Sequence, residues 1–492
     1  MWPRSGGPER PEWVVGYLAM HLRPFAIAAL VIALATVLVV TSLGIGSMAA
    51  MESGSGGVAL SGATVSASLV VGPSSKATPI SSAFWGVDVV ATHRFDSTDA
   101  ANVAATPVTY VVFPGGTLGE QFNYTSGIIT GPHGLQQPAV TSASEFVASC
   151  KLFDCNAILQ LPAEIDQPAT AASFASYVVH TLKYQPAYWQ IGNDPAGWKH
   201  FDVPWSDWKK YGGNTTPLPY ANEVHTYIEA VLAVDPAAKF LALGAMGGAQ
   251  NHGKPWVEEL ASVDGHLLSG ISVHSYVQGG PSHPTDAELF ANLNGPYSLS
   301  VQIPAVRSYI QDACPSCTDL KVFATETNAA EDSPYIRLLP TFAGTLYLAV
   351  DTIQGLANQV TNLDWFAYAS GYPGAWSDHA GQWQMQYYLF SDIATHLGSE
   401  TLPTTLTGPS TLYGMATYDK SGLALFLVNV NATSAVNLNM AQSGFKLGYS
   451  GVTEYLWQEG SNLPSKSSVT LSSTLNVPSL SMVLLTVGPA GE

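Results

Sequence analysis

Tyr188-Trp189-Gln190-Ile191-Gly192-Asn193-Asp194-Pro195 is a short run of aromatic and aliphatic residues that stops on glycine, two polar residues and proline. A run of this length, bounded this way, reads as a buried strand rather than a helix. Seven similar runs lie around it: Trp85–Val90, Thr109–Phe113, Asn156–Leu161, Lys239–Gly244, Ile271–Tyr276, Lys321–Thr325 and Leu363–Tyr368. Between them lie stretches long enough for helices, among them Ser144–Leu152 and Tyr220–Val234, the latter stopping at Asp235-Pro236. Strands alternating with helices make a parallel sheet. Eight such strands predict a closed (β/α)8 barrel, α/β in class, over residues 65–400.

Beyond about Gly398 the pattern changes. Leu412–Tyr418, Leu423–Val430, Ala435–Met440, Val452–Trp457, Ser468–Leu471 and Leu480–Val487 are short alternating runs joined by turn residues such as Asp419-Lys420-Ser421-Gly422. They predict an antiparallel β-sandwich over residues 401–492. Val65–Val71, ahead of the first barrel strand, is placed to add an edge strand to it.

Toward the N-terminus, Phe25–Ile45 holds 21 residues without a charge, enough for a helix to cross a bilayer core of about 30 Å. Arg4, Arg10 and Arg23 precede it, so residues 1–24 are expected in the cytoplasm and everything after Ile45 outside. Its length favours an uncleaved transmembrane signal anchor over a signal peptide, although the small residues around Ser47–Ala50 permit cleavage and secretion. Residues 46–64, rich in Gly, Ser and Ala, read as a flexible linker. The expected location is therefore the cell membrane, single-pass, with the barrel extracytoplasmic.

Export makes the four cysteines interpretable. Cys150 with Cys155 and Cys314 with Cys317 suggest two local disulfides, and a four-thiolate zinc site is the competing arrangement. Charged residues make up 11% of the chain and hydrophobic ones 47%, which argues against disorder. A formal charge of −18 with no basic run excludes nucleic acid as an expected partner.

Functional groups of a (β/α)8 barrel project from the C-terminal ends of its strands. Three strands end in polar residues. The fourth ends in Asn193-Asp194, the sixth in His274-Ser275-Tyr276, and the seventh in Thr325-Glu326-Thr327-Asn328. Two carboxyl groups at one mouth are the minimum for glycosidic cleavage, where one attacks and the other gives a proton to the leaving oxygen. Their repulsion is expected to separate the two pKa values and so assign the roles. Spacing alone equally allows Asp194 to be a helix cap and Glu326 a solvated loop acid.

Tyr188-Trp189-Gln190-Ile191-Gly192-Asn193-Asp194-Pro195 resembles the Trp-Glu-(Ile/Leu)-Gly-Asn-Glu-Pro signature on strand four of clan-A retaining glycoside hydrolases, especially the heparanase and β-glucuronidase family. Ala324-Thr325-Glu326-Thr327-Asn328 is similar to the clan's Thr-Glu-x-Asn, and Val273-His274-Ser275-Tyr276 to its His-x-Tyr on strand six. Phe113-Pro114-Gly115-Gly116-Thr117 resembles the Pro-Gly-Gly segment of α-arabinofuranosidases and the Gly-Gly-Thr/Asn of the heparanase-like family. The resemblance runs in order from Ile80 to Val487.

It implies a retaining hydrolase of extracellular carbohydrate, working without a cofactor. Glu326 would be the nucleophile, Asp194 would stand at the acid/base position, and Asn193 would bond the sugar 2-hydroxyl. His274 and Tyr276 would orient the nucleophile, and Gly116 would lie at the substrate. The β-glucuronidase or heparanase type is the first expectation. An arabinofuranosidase or xylosidase of the same clan, or a silent carbohydrate-binding surface protein, are the alternatives. Two positions depart from the pattern: Asp194 stands where the clan has Glu, and Val112 where many relatives place Arg.

The loop Gly197–Trp208 carries Trp198, Trp205 and Trp208, and strand eight is followed by Tyr368, Tyr372 and Trp376. Such rings stack on sugar faces or pack a loop, and Trp198 and Tyr368 are expected to bind substrate. Asn123-Tyr124-Thr125, Asn214-Thr215-Thr216 and Asn431-Ala432-Thr433 fit the N-glycosylation pattern. No phosphate-cradling loop, nicotinamide fingerprint or zinc-protease helix occurs.

Overall fold

The computed structural model describes residues 64–130, 136–163, 167–195, 216–245, 253–276, 285–329, 338–369, 376, 384–440 and 451–488. The expected anchor at 25–45, the linker after it, and Trp198, Trp205, Trp208 and Tyr372 lie outside these residues. Among the described residues no helix is long and apolar enough to cross a membrane.

Eight parallel strands close into a barrel: β1 (Trp85–Asp88), β2 (Tyr110–Phe113), β3 (Asn156–Leu161), β4 (Tyr188–Ile191), β5 (Phe240–Ala245), β6 (Leu268–Tyr276), β7 (Lys321–Asn328) and β8 (Leu363–Trp365). The ring closes where Leu363, Asp364 and Trp365 of β8 pair with Trp85, Gly86 and Val87 of β1. The expected barrel is thus present, with β8 ending three residues earlier than its sequence suggests. Buried parallel strands read as near-continuous apolar runs because both faces are covered, and all four residues of β4 are buried.

The helices follow their local signals. Ala143–Leu152 starts at a capping box in which Ser142 and Glu145 satisfy each other's backbone N–H. Pro217–Leu232 begins with prolines, whose missing N–H costs nothing in a first turn. A small sheet of Phe122–Asn123, Ile128–Thr130 and Gln136–Pro138, not expected from sequence, is inserted between β2 and β3.

The C-terminal part is a two-sheet sandwich. One sheet orders Thr404–Thr407, Thr64–Val71, Ala435–Asn439 and Thr474–Val477. The other orders Thr78–Pro79, Glu400–Leu402, Leu412–Asp419, Gly422–Asn429, Ser481–Val487, Val452–Gln458 and Ser465–Val469. The N-terminal strand pairs parallel with Ala435–Asn439 and antiparallel with Thr404–Thr407, so the sandwich is not antiparallel throughout. Its core is aliphatic, built on Leu69, Leu425, Leu427, Val436, Leu438, Val483 and Leu485. Helix Phe342–Ala357 is buried from Phe342 to Leu356 because it packs on the barrel helices and also on strands of the sandwich. That double burial clamps the helix behind β7.

Candidate active site

The mouth of the barrel brings together the ends of β4, β6 and β7. Glu326, on β7, is almost fully buried, and Tyr276 at the end of β6 donates its hydroxyl to Oε2 at 2.7 Å. His274 Nδ1 lies 2.9 Å from Asp194 Oδ1 and 3.4 Å from Glu326 Oε2. One reactive atom each from Asp194, His274 and Glu326 falls within 4.8 Å of the others. These three side chains are also the ones here close enough to share a cation.

Glu326 points into the mouth because β7 is irregular. Phe323 belongs to the interior cluster and Ala324 to the core outside the barrel, so strict alternation would turn Glu326 outward as well. The register with β6 shifts between the pairs Val273–Ala324 and His274–Glu326, and that slip sets Glu326 beside His274. Re-aiming a side chain is what such an irregularity does.

Asn193 sits between the two acids. With its amide turned to satisfy both neighbours, it donates to Glu326 Oε1 at 3.3 Å and accepts from the Thr117 backbone N–H at 3.3 Å. Asp194 takes a left-handed backbone at φ +43°, a conformation unfavourable for a residue with a Cβ and common where function fixes a side chain. Gly116 has φ +60°, and a Cβ there would stand 3.0 Å from the Phe366 ring and 3.8 Å from Glu326 Oε1. Glycine therefore keeps the floor open beside the carboxyl group.

Burial raises the Glu326 carboxyl most; the charge of His274 opposes this, Asp194 adds to it, and the donors Tyr276 and Asn193 pull it down. The net effect pushes Glu326 up to about 7. Repulsion between the two acids is thus present but secondary to burial. It raises the very group expected to stay ionised, so it does not by itself assign the roles.

Two further carboxyl groups were missed in the sequence. Asp88, at the end of β1, is fully buried and neither oxygen has a hydrogen-bond partner among the described residues. Burial, then Glu326 and then Asp364, holds its pKa well above the usual carboxylate range. Asp364 on β8 is buried beside Asn362, whose amide donates to it at 3.2 Å, and burial keeps it raised as well. A lone Asp inside Trp85-Gly86-Val87-Asp88-Val89-Val90 or Leu363-Asp364-Trp365 was the available signal. Phe366 carried none.

Other expected residues fall elsewhere. Tyr368 is buried, its hydroxyl donates to Asp99 Oδ1 at 2.8 Å, and its ring packs against Phe95 and Trp376. Trp376 is buried beside it, enclosed by Tyr387 and Phe390. Val112, at the position where the resemblance implies an arginine, lies in an apolar cluster filling the barrel interior. Cys150–Cys155 and Cys314–Cys317 are paired as two disulfides, which excludes the four-thiolate arrangement.

No protein-family model and no curated protein matches this sequence. Solved structures do. A family 51 arabinofuranosidase from Xanthomonas axonopodis pv. citri superposes with a TM-score of 0.70 at 15% identity, covering 86% of this chain and 99% of that one. A family 51 α-L-arabinofuranosidase from Bifidobacterium longum gives 0.68 at 15% identity, over 87% and 99% of the two chains. A family 44 xyloglucanase from Paenibacillus polymyxa gives 0.63 at 12% identity, over 86% and 100%. At such identities the likeness establishes a shared fold, barrel and sandwich together, and the chemistry has to be argued from the side chains.

Proposed function

We propose that this chain is a retaining glycoside hydrolase with Glu326 as nucleophile and Asp194 as acid/base. The observation that carries the reading is the closeness of the two carboxyl groups, whose nearest oxygens fall within 4.8 Å at the mouth of one barrel. Retaining enzymes hold the pair about 5–5.5 Å apart, whereas inverting ones leave about 6.5–9.5 Å for a water. With the shorter Asp194 side chain the pair still falls on the close, retaining side of that division. The glycosidases among the superposable structures support the same class.

In the first step the Glu326 carboxylate attacks the anomeric carbon while the bond to the leaving oxygen breaks and Asp194 protonates that oxygen. In the second, Asp194 takes a proton from water, the water attacks the same carbon, and Glu326 is released. His274, touching both acids, and the donors Tyr276 and Asn193 hold the negative charge on Glu326 against the cost of its burial.

The substrate reading moves away from the uronate first expected. A uronate carboxylate needs cationic or multiple donors. Among the described residues no Lys or Arg pairs with Asp194 or Glu326, and the basic group beside them is the His274 imidazole. A neutral pentose or hexose glycoside fits better, which agrees with the arabinofuranosidases and xyloglucanase that share the fold. Residues 25–45 would anchor the enzyme with its barrel outside the cytoplasm; a reporter fused after Gly62 should be active only outside, and cytoplasmic activity would refute this.

The test is Asp194→Asn on aryl glycosides of graded leaving ability. General acid help is worth about 10²–10⁴-fold, and the loss should fall on poor leaving groups while activated ones are spared. Azide should partly restore the activated substrates. A loss independent of the leaving group would place the acid elsewhere. Wild type inactive on every glycoside, with Asp194→Glu gaining activity, would make the chain a silenced carbohydrate-binding protein.

A further inference from the structure

At the opposite end of the barrel the Cys314–Cys317 disulfide meets an imidazole. Cys314 caps the C-terminus of helix Leu299–Ala313, and Cys317 follows in the turn that leads to β7. His266 Nε2 lies 3.8 Å from Cys314 Sγ, and its Nδ1 lies 3.8 Å from Cys317 Sγ, so one ring touches both sulfurs. Its neighbour Gly265 makes room for this contact, since a Cβ there would stand 2.5 Å from Cys317 Sγ. Cys317 also lines a cavity of about 380 Å³ together with His266, Tyr188, Lys239, Asp319 and Lys321.

We propose that Cys314–Cys317 is a thiol–disulfide exchange centre, opened by a dithiol that enters this cavity, with His266 as the proton donor to the leaving sulfur. The incoming thiolate attacks Cys317 Sγ, which lines the cavity, and a mixed disulfide forms. The Cys317–Cys314 bond breaks and its electron pair goes to Cys314 Sγ. A negative charge there is disfavoured by the helix C-terminus, so the proton from His266 matters most at this atom. The second thiol of the reductant then displaces Cys317, leaving two thiols on the chain and a disulfide in the reductant. Two electrons and two protons have moved. Lys239 and Lys321 outnumber the one carboxylate, Asp319, among the residues lining the cavity, and that excess of positive charge favours an attacking thiolate.

The other disulfide supplies an internal control. Cys150 is fully buried, and its polar neighbour is the Tyr184 hydroxyl at 3.3 Å, a phenol that burial pushes up to about 12 and that is a poor proton donor. The experiment treats the full chain with dithiothreitol, quenches samples over time with an alkylating agent, and counts labelled cysteines by peptide mass. Cys314 and Cys317 should label at least about tenfold faster than Cys150 and Cys155. His266→Ala should remove most of that advantage, and added imidazole should restore part of it. Equal rates at the two disulfides in the wild type overturn the proposal. So does His266→Ala with an unchanged or faster rate, since mere loosening of the turn would speed opening.

Discussion

The two ends of the barrel are built from the same eight strands and obey opposite rules. Toward the N-terminal end the interior is filled by Val112, Ile158, Tyr188, Leu241 and Phe323, with the Tyr188 and Phe323 rings edge to face at 5.0 Å. Toward the C-terminal end it holds Asp88, Asp194, His274, Glu326 and Asp364, all buried. The first set gains free energy from removing apolar surface from water. The second loses it, because buried carboxyl groups that no Lys or Arg among the described residues pairs with resist ionisation. A parallel barrel therefore need not be uniformly stable: a dry plug at one end holds open a polar mouth that would not hold itself.

Removing the proposed nucleophile tests the costly end and carries the largest expected effect. Glu326→Gln should lower turnover by at least about 10⁴-fold, since an amide cannot form the covalent intermediate. It should also stabilise the protein at high pH. Glu326 rises from 4.5 to about 7 on folding, so its contribution to stability is fully present below about 4.5 and is lost as pH rises through about 7. At pH 8 the variant should be more stable than wild type by on the order of 3 kcal/mol, and at pH 4 the two should match. Asp88 and Asp364 shift in the same direction, so each should add to the wild-type decline as pH rises above the usual carboxylate range. Denaturant titrations at both pH values would measure this, and an equal gap at each would mean that Glu326 carries no burial cost.

This contrast also explains what the sequence could disclose. The barrel was legible because its eight strands are apolar runs between helices, a pattern set by local periodicity. The polar groups that meet at the ends of β4, β6 and β7 were legible because Asn193-Asp194, His274-Ser275-Tyr276 and Glu326 break those runs at their ends. Asp88 and Asp364 interrupt their strands in the same way but match no familiar signature. Tyr368 was not legible in the same way, because an aromatic residue after a strand can face the mouth or the helices, and its hydrogen bond to Asp99 lies in no local pattern. The slip that turns Glu326 inward lies in the register between two chains of residues far apart in sequence, and no local pattern encodes it.

The dry end is tested next. Phe323→Ala removes a buried ring from the plug and should cost about 3–5 kcal/mol of stability. Because Phe323 lies three residues before Glu326, activity per folded molecule, assayed well below the melting temperature, should stay within about threefold of wild type. A collapse of activity in a folded variant would show that plug and mouth are one unit, and the division between the two ends would fail.

The smallest effect, and the sharpest test of the mouth, comes from Tyr276→Phe. The Tyr276 hydroxyl donates to Glu326 Oε2 and is one of the groups that pull its pKa down. Hydrogen bonds to charged groups contribute about 1.5–3 kcal/mol, and 1.36 kcal/mol corresponds to one pKa unit, so the Glu326 carboxyl should rise by about one unit. As the proposed nucleophile Glu326 would have to be ionised to attack, which would make its titration the acid limb of kcat/KM for the free enzyme. That limb should move to higher pH in the variant, with about a tenfold loss at pH values below it and a smaller loss on the plateau. The ring remains to pack against Phe366, so folding should be little changed. If Tyr276 served only as packing, kcat/KM would keep its pH dependence. If the alkaline limb moved instead, Glu326 would be acting as the proton donor, and Asp194 would have to be the nucleophile.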